Sequence, residues 1–391
     1  MTLLRVQPAV DLASRAAAVA VGSLFATNGL VVGAYAAVLP ALRDRYGVDA
    51  GAVAVLLVTS GAVAVVSMQV GGRLADRIGA RRVTLAALPL MIVGALAMAW
   101  APTFPLAVLG AAVVGLGNGA NDVSMNAIGV VVEQARRAPV MSRFHAFWSI
   151  GSFLGAGVVL LTSRVVTDEK GAIVAPALAT VAVLAAVTLA VTTRWVPVTE
   201  PVPEAVSGEK RTIPRIAWLL GGMAICFGLM EGTAFDWSSI HVTDVAGVDP
   251  GLGASGLVTV TVFMVGMRLV GDAAVTRFGH QAVVGGGSAV AAVGFAVTVV
   301  ATALPVILTG WALVGAGVAL IAPQIYAAAG HLGGGRMLAV VVTFGYAAFL
   351  AGPAMVGWLV HTVGVQHAMV LPLVLSGVLV GVSRWVPSVR R

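Results

Sequence analysis

Three polar side chains, Asn118, Asp122 and Asn126, stand four residues apart in the stretch 117–126, GNGANDVSMN. On a helix this spacing gathers them into one stripe, with Asn121 and Ser124 beside it. The flanking sequence is apolar, AVVGL before and AIGVVV after. A carboxyl in such surroundings can take up and release a proton, and carboxamides can both donate to and accept from a polar solute. A second carboxyl, Glu231, opens the segment EGTAFDWSSI, followed by Asp236 and Trp237. Aromatic residues in the same kind of setting are Tyr35, Phe144, Phe147, Trp148, Trp237 and Tyr346. Amides beside aromatic faces suit a small polar solute. Each group also has a plainer use: Asp122 as a tie to a neighbouring helix such as the 143–145 segment, the asparagines as interhelical hydrogen-bond partners, and the aromatics as packing.

Other chemistries find no support. The two lysines, Lys170 and Lys210, lie outside any G-x-x-x-x-G-K-[ST] pattern, so ATP hydrolysis is not encoded. The six histidines are scattered, H-E-x-x-H is missing, and the single cysteine, Cys226, lies in an apolar run as packing. An enzyme is not expected, nor a cofactor or a metal.

The elements that position these residues follow from composition. Of 391 residues 59% are hydrophobic and 10% charged, whereas a soluble chain carries about a quarter of its residues charged. Apolar runs of about twenty residues recur throughout, each long enough to cross about 30 Å of hydrocarbon as a helix. Lipid offers the backbone no partners, and the runs lack the alternation of barrel strands, so they must be α-helices. Twelve spans are predicted: 16–39, 51–70, 83–101, 105–132, 144–163 and 172–194, then 215–237, 252–271, 282–302, 304–325, 337–360 and 367–386. The first is too long for a signal peptide and is read as an uncleaved helix. With both termini on one side, the opposite side carries only Arg43, Arg45, Arg164 and Lys170 of the 23 basic residues. The positive-inside rule therefore places both termini in the cytoplasm. The net charge of +7 reports this topology and attraction to lipid headgroups rather than nucleic acid.

The chain also repeats itself. Sliding it by 200 residues lays Gly110, Gly115 and Gly117 on Gly310, Gly315 and Gly317, and Gly71, Arg77 and Gly79 on Gly271, Arg277 and Gly279. Phe144 and Gly157 fall on Phe344 and Gly357, and RWVP closes both halves. Six spans repeated in the same orientation imply two similar bundles related by an axis along the membrane normal. The division is 1–194 for the first bundle, 195–214 for a Pro- and charge-rich cytoplasmic linker, and 215–391 for the second. Two matched halves joined flexibly can rock about a central cavity, which points to transport.

Between spans two and three the chain reads GGRLADRIGARR. This resembles the loop signature G-x-L-x-D-R-x-G-R-R of the major facilitator superfamily, matched by Gly72, Leu74, Asp76, Arg77, Gly79, Arg81 and Arg82, with Ala80 as a departure. The resemblance implies a cytoplasmic latch, in which Asp76 accepts from arginines or a helix N-terminus. The second copy is weaker: Thr276 replaces the acid, Arg277 and Gly279 are kept, and Asp272 stands one turn from Arg268, close enough to pair with it at the membrane edge. The segments 121–133, 141–157 and 231–240 are similar to a bacterial inner-membrane branch that contains YbjJ-type permeases and is more distantly related to fucose permease. In this superfamily the first and seventh spans line the cavity, so Asn28 and Glu231 are expected to face each other across the pseudo-twofold.

The resemblance and the residues together lead to a proton-coupled secondary transporter of a sugar-like or related small polar solute, multi-pass in the bacterial inner membrane and monomeric. Asp122, about 24 Å along its span, falls in the cytoplasmic half. Asp122 and Glu231 are the expected proton sites, with Asp236 read as an interfacial charge. No Lys or Arg is placed deep in a span, which disfavours strongly anionic solutes. Efflux of drugs or metabolites by proton antiport would use the same carboxyls. A transporter-like receptor that binds without translocating is the alternative of another class, and the intact latch and matched halves speak against it.

Overall fold

The computed structural model describes residues 11–137, 140–166, 171–198 and 214–386. The fold is helical throughout these residues, with no strand among them. In the first half the helices are α1 (Arg15–Tyr46), α2 (Ala50–Ile78), α3 (Ala80–Ala99), α4 (Phe104–Arg136), α5 (Arg143–Thr162) and α6 (Val174–Trp195). In the second they are α7 (Arg215–Ala246), α8 (250–278), α9 (280–300), α10 (Leu304–Ala329), α11 (Val340–Ala368) and α12 (Val370–Trp385). Eleven are long and apolar enough to cross a membrane, and α12 is a shorter apolar helix. Gly364, near the end of α11, has a positive φ of 83°. Most of the expected linker, residues 199–213, lies outside the described residues.

The two halves form matching bundles. In each, α4 or its counterpart α10 is the central packing helix, wedged against α2 and α3 or against α8 and α9. Gly115 lets α4 close on the α2 backbone at Ser60, and Gly315 lets α10 close on the α8 backbone at Val260; a Cβ at either site would collide with a main-chain oxygen. Such approaches are how helices associate in lipid, where burial of apolar surface offers no advantage and close contact is the main attraction. The reversals repeat as well. Gly79 turns the chain from α2 into α3 at φ 92°, and Gly279 breaks the path from α8 into α9 at φ 79°. Even the closing RWVP sequences agree in geometry, with Arg194 lying over Trp195 at 3.8 Å and Arg384 over Trp385 at 4.5 Å.

Several helices overrun the expected spans towards the face bearing the chain ends: α2 continues to Ile78, α4 to Arg136 and α8 to Phe278. This changes depths. In the 33-residue α4, Asp122 lies about 27 Å from Phe104 and about 21 Å from Arg136, near the helix middle.

Replacing Gly115 or Gly315 by Val should each lower stability by about 1–3 kcal/mol through forced separation of the helices. Gly157→Ala, where an added Cβ meets nothing within 4 Å, should be neutral. Thermal unfolding in detergent, followed by tryptophan fluorescence, checks both.

Candidate functional site

The halves meet around one cavity of about 360 Å³ at mid-depth. The first half lines it with residues of α1, α2, α4 and α5, and the second with residues of α7, α8 and α11. Into it converge Asp122, Glu231, Asp236, Arg268 and His145, with Asn28, Asn118, Tyr35, Trp148 and Tyr346.

Asp122 is held from both halves. Tyr346 Oη donates to its Oδ2 at 2.6 Å, crossing from α11 to α4, and Asn126 Nδ2 donates to its Oδ1 at 3.2 Å. The donor from a neighbouring helix is thus Tyr346 rather than the 143–145 segment. Of the stripe expected on α4, Asn118 and Asp122 reach the cavity wall, while Asn126 braces Asp122 from behind. Asn121 is fully buried on another side of α4, its Nδ2 3.2 Å from Met125 Sδ. One residue along a helix turns the side chain by about 100°, which separates Asn121 from the stripe. Asn28 Nδ2 donates to Asn118 Oδ1 at 2.9 Å, and Trp148 Nε1 donates to Asn28 Oδ1 at 2.7 Å. These bonds fix α1, α4 and α5 around one amide cluster.

Arg268 overturns a sequence expectation. Its side chain is not at the membrane edge: Nη2 stands 3.4 Å from Glu231 Oε1, Nη1 donates to Ser149 Oγ, and Nε donates to Ala319 O at 3.4 Å. The described partner is therefore Glu231, and the side chain of Asp272 lies outside the described residues. The error came from ending the span at residue 271. Helical backbone continues to the break at Gly279, which sets Arg268 about 16 Å in from that end. The 200-residue repeat held the missing signal, since Arg268 falls on Met68, and both line the cavity. A basic residue deep in a span is thus present, and the ground for setting anionic solutes aside falls with it.

Four further placements differ from expectation. Asp236 lines the cavity instead of sitting at the interface, and no described residue donates a hydrogen bond to it. Phe144 is buried against Phe25, with ring centroids 5.6 Å apart, outside the cavity wall. Trp237 is fully buried beside Gly357, also away from the cavity, because one residue of rotation from Asp236 carries it to another face of α7. Phe147, mostly outward, is likewise not a lining residue. Lining residues that the sequence reading passed over include His145, Phe235 and Phe349.

Beyond the cavity, towards the face opposite the chain ends, two ion pairs join the halves. Arg43 binds Asp244 through both guanidinium nitrogens, one at 2.7 Å, linking α1 to α7. His361 Nδ1 stands 3.6 Å from Asp49 Oδ2, linking α11 to the start of α2. The first pair is partly sheltered, with side chains 20% and 32% exposed; the second, at 62% and 63%, is open to water and correspondingly weak.

The expected latch residues lie at the face of the chain ends. Asp76 and Arg77 are exposed at the end of α2, and Gly72 lies one turn earlier. Beyond the Gly79 turn, Arg81 donates to Thr193 O at 3.1 Å, and Arg82 reaches Ile78 O at 3.4 Å. In the second copy Arg277 stands over the Phe278 ring at 5.3 Å.

Twelve helices in two matched halves around one polar cavity define a membrane transport protein. The chain belongs to the Major Facilitator Superfamily, whose sequence profile matches residues 21–334. Its relatives include the uncharacterised transporter y4wD of Sinorhizobium fredii, 33% identical over 261 residues that cover 66% of this chain and 68% of the relative. An uncharacterised MFS-type transporter of Yersinia pestis is 30% identical over 347 residues, 86% of each chain. Among solved structures, the nucleoside transporter NupG superposes with a TM-score of 0.71 at 12% identity, covering 94% of this chain and 98% of that one. FucP in the outward conformation gives 0.63 at 16% identity, covering 95% and 99%.

Glu231→Gln leaves the Arg268 charge without its counter-ion and should cost about 2–4 kcal/mol, whereas Glu231→Gln combined with Arg268→Met should recover most of that loss. Thermal unfolding of the two variants checks the pair. Asp244→Ala should loosen the face opposite the chain ends, seen as faster thiol labelling of a cysteine introduced at Ser60, a cavity residue below the ion pair.

Proposed function

We propose that the protein is a proton-coupled secondary transporter of a small polar organic solute, working by alternating access with Asp122 and Glu231 as its proton-exchanging groups. The observation that carries this reading is the bond from Tyr346 to Asp122, which joins the two halves inside the cavity itself. An ionised carboxylate accepts a phenolic hydrogen strongly, and protonation removes the charge that shortens and strengthens the bond. Proton uptake at Asp122 therefore loosens a contact between the halves and links protonation to their relative position. Glu231 acts in parallel through Arg268, whose bond to Ser149 is a second contact between halves. A proton on Glu231 frees the guanidinium, and a solute that rearranges Arg268 changes the proton affinity of Glu231.

The amide cluster of Asn28 and Asn118, closed by Trp148, supplies donors and acceptors that discriminate among polar solutes. In this reading the segment 195–214 is the hinge between the bundles, the basic residues hold both termini in the cytoplasm, and the protein works as a monomer in a bacterial inner membrane. The latch loop then closes the cytoplasmic face while the ion pairs Arg43–Asp244 and Asp49–His361 part on the other.

In proteoliposomes, Asp122→Asn should abolish solute-driven proton movement, read with an entrapped pH dye, while solute exchange at equal concentrations continues at a reduced rate. Proton flux equal to that of the unaltered protein removes Asp122 from the mechanism.

A further inference from the structure

The three carboxyls and the guanidinium in the cavity wall, which His145 also lines, differ in what they already hold. Asp122 accepts from Tyr346 and Asn126. Glu231 and Arg268 hold each other, and Arg268 also donates to Ser149 and to the Ala319 carbonyl. Asp236 alone has no donor among the described residues. The Tyr35 hydroxyl lines the cavity too: the residue is only 8% exposed, and with the Ser60 hydroxyl as its polar neighbour its oxygen keeps a lone pair to accept with.

Both groups line the same cavity. The ion pair of Arg43 with Asp244 sets the register of α1 against α7. Tyr35 precedes Arg43 by eight residues and Asp236 precedes Asp244 by eight. Both therefore lie about 12 Å along their helices from the ion pair, at one level of the cavity. Beside them Phe235 and Trp148, also in the wall, approach to 5.4 Å between ring centroids. A carboxylate without a donor, a hydroxyl free to accept and two aromatic faces together form a receptor for an ammonium group: ionic contact at Asp236, acceptance by Tyr35, and cation–π attraction from the rings.

We propose that the transported solute carries an ammonium group, seated between Asp236 and Tyr35 against the Phe235–Trp148 pair. This deepens the transport reading above and rests on it. Glu231 already balances Arg268, which leaves Asp122 and Asp236 as carboxyls without a basic partner, and this favours a cation over a neutral or anionic solute of the same shape. An anion would have to displace Glu231, Ser149 and a main-chain carbonyl from Arg268, whereas an ammonium at Asp236 displaces no protein contact. Recognition of the rest of the solute is left to the amide cluster, which suits hydroxyls.

The test uses the full-length protein in detergent and matched probe sets that share a skeleton: glucosamine, glucose and gluconate; cyclohexylamine, cyclohexanol and cyclohexanecarboxylate; benzylamine, benzyl alcohol and benzoate. Binding is read as thermal shift and as saturable quenching of tryptophan fluorescence. At least one amine should bind saturably, and more tightly than its neutral and acidic counterparts. Asp236→Asn should weaken that amine by about tenfold or more, and Tyr35→Phe by a smaller factor. Asparagine is nearly isosteric and removes an uncompensated charge, so the ligand-free variant should unfold no lower than the unaltered protein, which separates lost recognition from lost folding. Equal or tighter binding of the alcohols or acids, an amine affinity unchanged in Asp236→Asn, or no amine response in any set would each overturn the proposal. Proton-coupled uptake of a neutral or anionic solute would overturn it while leaving the transport reading intact. Amine binding lost in Asp236→Asn but with no exchange of labelled amine in proteoliposomes would sink the transport reading and leave the receptor standing.

Discussion

Hydrocarbon neither solvates a charge nor offers a partner to a buried polar group, and the architecture of this protein follows from that. A charged side chain at mid-membrane must turn inward and find its counter-group there. Arg268 shows the consequence most fully. Its guanidinium gathers Glu231 from α7, the Ala319 carbonyl from α10 and Ser149 from α5 of the other half. Four helices from two bundles are thereby constrained to meet at one point. The cavity is the residue of this requirement: the helices that carry ionisable groups deep in the membrane cannot pack edge to edge, because those groups need both partners and water.

The two halves share a backbone plan and divide the chemistry. Gly115 and Gly315 bring corresponding helices to the same close approach, and Gly79 and Gly279 reverse the chain at corresponding turns. At the cavity the correspondence is broken on purpose-bearing positions: Met68 in the first half stands where Arg268 stands in the second. The first half contributes the amide cluster and Asp122, and the second contributes Glu231, Asp236 and Arg268. Identical charges at related positions would face each other across the axis and repel, so an asymmetric wall is the arrangement that a duplicated scaffold permits.

How much of this could be read from the chain depended on whether a feature was periodic. The helical class and the duplication came through hydropathy, glycine spacing and a loop signature, all regular signals, whereas Asn28, Asn118, Asp122, Glu231, Tyr35, Trp148 and Tyr346 stood out only as polar or aromatic residues in apolar runs, and the structure sets them around one cavity. Side-chain azimuth did not come through for single residues. Trp237 and Asn121 differ from lining neighbours by one position, which is about 100° of rotation and decides between cavity and packed interior. Depth failed where helices outran their hydrophobic stretch. A window that stops at the first charges ends α8 at Gly271 and leaves Arg268 at the edge, although the glycine turn of the repeat marks the true end at Gly279. Phe144 failed for a different reason, since stacking on Phe25 satisfies it as well as a solute would.

The contacts that join the halves are graded in strength with depth. Near the face opposite the chain ends, Asp49 and His361 are more than half exposed, and a water-screened contact of this kind contributes about 0–1 kcal/mol, while the bidentate Arg43–Asp244 pair is only partly sheltered. At mid-depth the contacts are sheltered from solvent, and each depends on the charge of a carboxyl, Asp122 directly and Glu231 through Arg268. Two conformations exchange readily only when their free energies differ by a few kcal/mol. Weak outer pairs keep that difference small, because water replaces them when they part. The inner contacts set its sign, because changing one protonation state or seating one charged group alters them by an amount of the same size. In the proposed cycle, strong, titratable contacts inside the cavity and weaker ones beyond it let the solute and proton decide which way the halves lean.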